Sequence, residues 1–94
     1  MSYEEEKKPQ IVAVEWLDTA RYANLYPEKA AIKECVPKYL CSVGFLLSKD
    51  GDKVLIASEV TLKDKKYKEI MAIPFRNVKT IVYMDPTKDR IETF

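Results

Sequence analysis

The chain has 94 residues, 47% of them hydrophobic and 33% charged, with two glycines and five prolines. That is one small domain burying roughly 60–65% of its unfolded surface, and the composition excludes a disordered or fibrous chain. Sixteen Lys and Arg against fifteen Asp and Glu leave a formal charge of +1, so the total directs the protein to neither nucleic acid nor an anionic membrane.

No apolar stretch approaches the ~20 residues of a membrane-spanning helix. Glu4, Glu5 and Glu6 soon after Met1 are the opposite of the basic start of a secretory signal. The expected location is therefore cytoplasmic, with no membrane partner. Histidine is absent, which removes the commonest catalytic base. Cys35 and Cys41 are separated by five residues that include Pro37, whereas zinc sites bring cysteines closer together and need two further ligands. No metal and no cofactor are expected. In a reducing compartment both cysteines stay thiols, with Cys41 filling an inward strand position and Cys35 near a helix end.

Residues 1–9 are dominated by charge and closed by Pro9, and read as a solvated tail. Residues 10–17 turn apolar and β-branched and predict a first strand. Asp18-Thr19 is placed to end it and to cap a helical turn over 20–24. Pro27 followed by Glu28-Lys29-Ala30-Ala31-Ile32-Lys33-Glu34 predicts a short helix opened by proline and stopped by Pro37.

After Pro37 the apolar period becomes two. Tyr39, Cys41, Val43, Phe45 and Leu47 share one face, and Leu40, Ser42, Gly44 and Leu46 the other. Asp50-Gly51 is a strong hairpin signal, so 39–48 is expected to pair antiparallel with 53–62. Gly44 in mid-strand predicts a bulge or a sharp bend. Lys63-Asp64-Lys65-Lys66 predicts a turn, 67–73 a further strand, Pro74–Asn77 a short break and 78–84 another strand. Residues 85–94 predict either a tail or an edge strand. About five strands with one helical insertion near 19–35 predict a mainly β domain over 10–84: a small five-stranded antiparallel barrel, partly open, whose closure limits exposed edges.

The stretch Ile73-Pro74-Phe75-Arg76-Asn77-Val78 resembles the short 3₁₀ link before the last strand of SH3-like and Sm-like barrels. The whole of 38–84 is similar to the meander of those folds. Trp16-Leu17-Asp18 and Val43-Gly44-Phe45-Leu46 also resemble segments of short phage-type proteins. That resemblance implies a viral or mobile-element source, with the host cytoplasm as the location, and no particular activity. Small barrels share a layout without sharing a function.

No phosphate-binding glycine loop, metalloprotease helix or nucleophile elbow is present. Asp50 and Asp52 flank a turn glycine and are explained by the turn. Glu15 and Asp18 form the other available carboxylate pair, with Glu15 expected at the edge facing water. Trp16, Asp18, Arg21, Tyr22 and Tyr26 are the densest group of residue types that dominate binding hot spots, against the plainer alternative that Trp16 and one tyrosine close the core beneath the insertion. Lys63, Lys65, Lys66 and Lys68 surround Tyr67, with Tyr83 on another strand, and offer phosphate contacts with base stacking. The plainer alternative is a solvated turn, and thirteen Lys to three Arg weakens bidentate phosphate recognition.

These residues point to a non-enzymatic protein-interaction or assembly module, with a nucleic-acid-binding small barrel as the alternative. Because residues 38–62 are apolar on both faces over much of their length, something must cover the second face. A second copy of the chain, in a two-fold homo-oligomer, is the expected partner.

Overall fold

The computed structural model describes residues 9–84 and 90–94. Of the expected tail over 1–9 only Pro9 is among them, and the first half of the expected C-terminal tail or edge strand, 85–89, lies outside them as well. Six strands and one helix follow in order: β1 (Ile11–Asp18), α1 (Glu28–Glu34), β2 (Lys38–Lys49), β3 (Lys53–Thr61), β4 (Lys66–Pro74), β5 (Val78–Met84) and β6 (Arg90–Thr93). A single 3₁₀ turn, Phe75–Asn77, joins β4 to β5, at the expected break.

The strands form one sheet in the order β4-β3-β2-β1-β5-β6, antiparallel throughout. The mainly β expectation holds, but the five-stranded barrel does not. The sheet is open, with six strands and with β4 and β6 as its edges. The physical reason lies at the C-terminus. β6 occupies the hydrogen-bonding edge of β5, the edge that closure onto β4 would have required.

Val12, Val14 and Trp16 of β1 point to the core, with Ile81 and Tyr83 of β5, Val54 and Ile56 of β3, and Ile73 of β4. Strand partners in an antiparallel ladder share a face. Pairing of Val12 with Gly44, Val14 with Ser42 and Trp16 with Leu40 therefore turns the even positions of β2 inward. Cys41 consequently lies on the outer face and is exposed, not inward as expected; the period of two does not say which face is the core. Cys35 caps the end of α1 as expected, and both thiols are free.

The 49–53 turn forms where Asp50-Gly51 predicts it. Asp50 Oδ1 accepts from the amides of Asp52 at 2.7 Å and Lys53 at 2.9 Å, and these bonds hold its carboxyl below the usual range. The expected pairing of 39–48 with 53–62 is shorter than predicted. β2 meets β3 only between Phe45–Lys49 and Val54–Ala57, while its first half pairs with β1 alone. Gly44 marks the change of partner. A Cβ there would lie 2.7 Å from the Ala57 carbonyl oxygen, closer than real side chains tolerate, and a tight 3.3 Å from the Ile56 Cβ. The register shift itself falls between Leu46 and Ser48.

Residues 19–37 form the connection between β1 and β2. The helical turn expected over 20–24 is absent. α1 forms as predicted, directly after Pro27, but buries none of its residues. Ile32 and Leu25 of this connection are exposed, so the insertion does not roof the sheet.

Candidate functional site

The first group of candidate residues is divided between the core and the β1–β2 connection. Trp16 is buried, and its indole Nε1 donates to Ser42 Oγ at 2.9 Å across the β1–β2 ladder. Asp18 ends β1 opposite Lys38 and accepts from the Thr19 amide at 2.8 Å. The Tyr22 hydroxyl donates to the Val36 carbonyl at 2.8 Å. The Lys38 ammonium sits 5.5 Å from the centre of the Tyr22 ring, and Tyr26 meets that ring edge-on at 6.2 Å. Asp18 and Tyr22 line one open cleft of about 320 Å³ with Leu17, Cys35, Pro37 and Asn77. Arg21 and Tyr26 lie outside that lining and are exposed. The tyrosines and Lys38 therefore brace the loop against itself, and Trp16 serves the core.

The second group lies in one hairpin. The Lys65 amide donates to the Thr61 carbonyl at 2.8 Å, the Lys66 amide to Thr61 Oγ1 at 3.0 Å, and Thr61 Oγ1 itself donates to Asp64. Lys66 lies 3.7 Å from Asp64, and Lys68 stands opposite Glu59. Tyr67 is half-buried opposite Val60. Along a strand successive side chains leave opposite faces, so the Tyr67 ring is on the other side of β4 from Lys66 and Lys68. Lys63 is exposed in the turn, and Lys65 adopts a left-handed φ of 55°. Tyr83, the further ring considered for stacking, is buried in the core.

A polar cluster that the sequence did not reveal sits at the other end of the sheet. Lys49 at the end of β2 and Glu92 of β6 are 2.8 Å apart, the Tyr83 hydroxyl donates to Glu92, and the Arg90 guanidinium lies 4.0 Å from the Tyr83 ring centre. Hydrogen bonds from Lys49 and Tyr83 hold the Glu92 carboxyl below its usual range, and the same contacts raise Lys49. Lys49 is far in sequence from Tyr83, Arg90 and Glu92, and no local spacing announces the cluster. The cluster ties β2 to β6 and has no unpaired base. Among the described residues no group of His, Cys, Asp and Glu is arranged to hold a metal ion, and no helix is long and apolar enough to cross a membrane.

The outer face of the sheet carries several exposed apolar side chains. One row of ladder partners runs Met84, Ile11, Phe45, Ala57, Ile70 across five strands. The next runs Ile91, Val82, Ala13, Val43. Ile11, Val43, Ile70, Met84 and Ile91 are each at least 40% exposed. Comparison with protein-family models, with curated proteins and with solved structures found no match.

Proposed function

We propose that this chain is a non-enzymatic assembly module whose partner is a second copy of itself. The observation that carries this reading is the apolar outer face. An antiparallel sheet with one face in water alternates apolar with polar side chains, yet two adjacent rows here are apolar on the side away from the core. α1, the one helix among the described residues, buries none of its own residues. A contiguous apolar patch of this kind marks an interaction surface, and the near-neutral chain of charge +1 presents little repulsion between copies. The β2–β3–β4 meander followed by the 3₁₀ link is what favours a likeness to SH3-like and Sm-like folds.

The basic hairpin gives less support to nucleic-acid binding. Two of its lysines face carboxylates, and its one ring points away from them. Light scattering tests the proposal with the pair Ile11→Lys and Met84→Lys, both on the outer face. Self-association is expected to weaken at least about tenfold, while Lys66→Glu with Lys68→Glu leaves it unchanged. Unchanged association in the first variant, together with salt-sensitive oligonucleotide binding abolished by the second, overturns it in favour of the nucleic-acid reading.

A further inference from the structure

We infer that two copies of this chain join through the first half of β2, residues 38–43, pairing antiparallel about a two-fold axis at Cys41. This rests on the assembly reading and adds a second contact to it, at a strand edge and separate from the apolar outer face, which stays open to further copies. Beyond Gly44, β3 turns away and pairs only with β4. A small cleft of about 210 Å³, lined by Ser42, Val43, Ser58 and Glu69 among others, opens in the fork. Among the described residues, no strand lies against this side of 38–43.

The orientation of the backbone here follows from the register. The Leu46 amide donates to the Gln10 carbonyl at 2.7 Å. Hydrogen-bonded and non-hydrogen-bonded pairs alternate along an antiparallel ladder. The even residues of β2 therefore bond to β1, and the N–H and C=O groups of Tyr39, Cys41 and Val43 point to the vacant side. Backbone groups of a strand require partners, and an unpaired edge is a template for another strand.

The other edges of the sheet are guarded and this one is not. β4 carries Lys66, Lys68, Pro74 and a left-handed Glu69 with φ 54°, and β6 has only four residues. Residues 38–43 carry a single charge at one end, Lys38, with no proline and no bulge.

A second copy fits this edge by its own symmetry. With Cys41 opposite Cys41 of the second copy, Tyr39 falls opposite Val43 and Val43 opposite Tyr39, and all three N–H and all three C=O groups find partners. A shift of two residues in either direction leaves one residue's pair without a partner. A shift of one sets bonding groups against non-bonding ones. The chosen register also keeps outer face with outer face. Tyr39 then packs on Val43 across the axis, an aromatic and β-branched pair that favours strand pairing, and Lys38, the one charge of the segment, lies outside the three bonded pairs. The two outer apolar faces become one continuous surface.

The test uses Cys35→Ser, which leaves Cys41 as the single thiol, with copper–phenanthroline and air as oxidant. Hydrogen-bonded antiparallel partners are about 5.5 Å apart at Cα, within the disulfide range of about 4.4–6.8 Å. A covalent dimer is expected to form in high yield, and in the unmodified reduced protein the amides of Tyr39, Cys41 and Val43 are expected to exchange more slowly as concentration rises. A dimer whose amides at these three positions stay unprotected, with no Cys41 cross-link, overturns the edge pairing and leaves the assembly reading standing. A monomer with these amides protected at every dilution assigns the edge to another segment of the same chain and overturns both.

Discussion

Gly44 shows how one missing side chain shapes the sheet. It lies where β2 parts from β3, and the Ala57 carbonyl 2.7 Å from its absent Cβ is backbone that cannot rotate away. Gly44→Ala must push β3 outward, and we expect a loss of about 1–3 kcal/mol in urea unfolding, the usual cost of overpacking. Its φ is not left-handed, so the demand is for space and not for backbone freedom. Ser42 gives a second test at this scale. Its hydroxyl receives the Trp16 indole proton at 2.9 Å beside a ring that is 9% exposed. Ser42→Ala strands that donor and should cost about 1–3 kcal/mol, with a change in tryptophan emission on the native side of the transition. The need for small residues at 42 and 44 was partly legible. The mid-strand glycine announced a bulge or a bend, whereas it marks a close approach of β3 with the register shift at Leu46–Ser48, and only the fold shows that serine at 42 serves the indole.

At the scale of elements, the local signals succeeded where local chemistry decides. Asp50-Gly51 sets the first hairpin turn, Pro27 opens α1 and Pro74–Asn77 breaks β4 from β5. They failed where a long-range partner decides. The first half of β2 follows β1 and not β3, Cys41 turns outward because Val14 and Trp16 claim the inner face, and β6 blocks closure from beyond the expected barrel. α1 buries none of its residues, so Ile32→Pro, which breaks a helix interior at a cost of about 3 kcal/mol, should reduce the helical circular dichroism signal while the sheet keeps its own cooperative unfolding transition.

The β2–β6 tie through Lys49 and Glu92 makes a prediction in pH. Glu92 is held below its usual value, first by its hydrogen bond to Lys49, so the unfolded state takes up its proton first as pH falls. Its contribution is present above the ordinary glutamate range and is lost as pH drops through the lowered folded value. Lys49 is raised, first by its hydrogen bond to Glu92, so its contribution is complete below the ordinary lysine range and is lost as pH rises through the raised folded value. Glu92→Gln should therefore lower stability by at most about 1 kcal/mol at neutral pH and flatten the acid limb of a urea-midpoint profile.

At the scale of the whole molecule, the described residues form a sheet with one buried face, an outer face crossed by two apolar rows and, among those residues, an internal edge of β2 with no paired strand. The excess of apolar residues on both faces of β2 and β3 was visible in the sequence and supplied the expectation of a partner. The fold locates that excess in two rows across the sheet. The recognition-type residues near the insertion read differently once placed, since Trp16 belongs to the core and Tyr22 to a self-braced loop. Side-chain type alone could not distinguish a hot spot from a core residue, because both favour large amphipathic rings.

Sedimentation equilibrium of the unmodified, reduced chain across the micromolar range tests self-assembly most directly. The mass is expected to rise with concentration from the 10.9 kDa of the monomer to twice that value or more. A single species at the monomer mass, unchanged at every concentration, would contradict it.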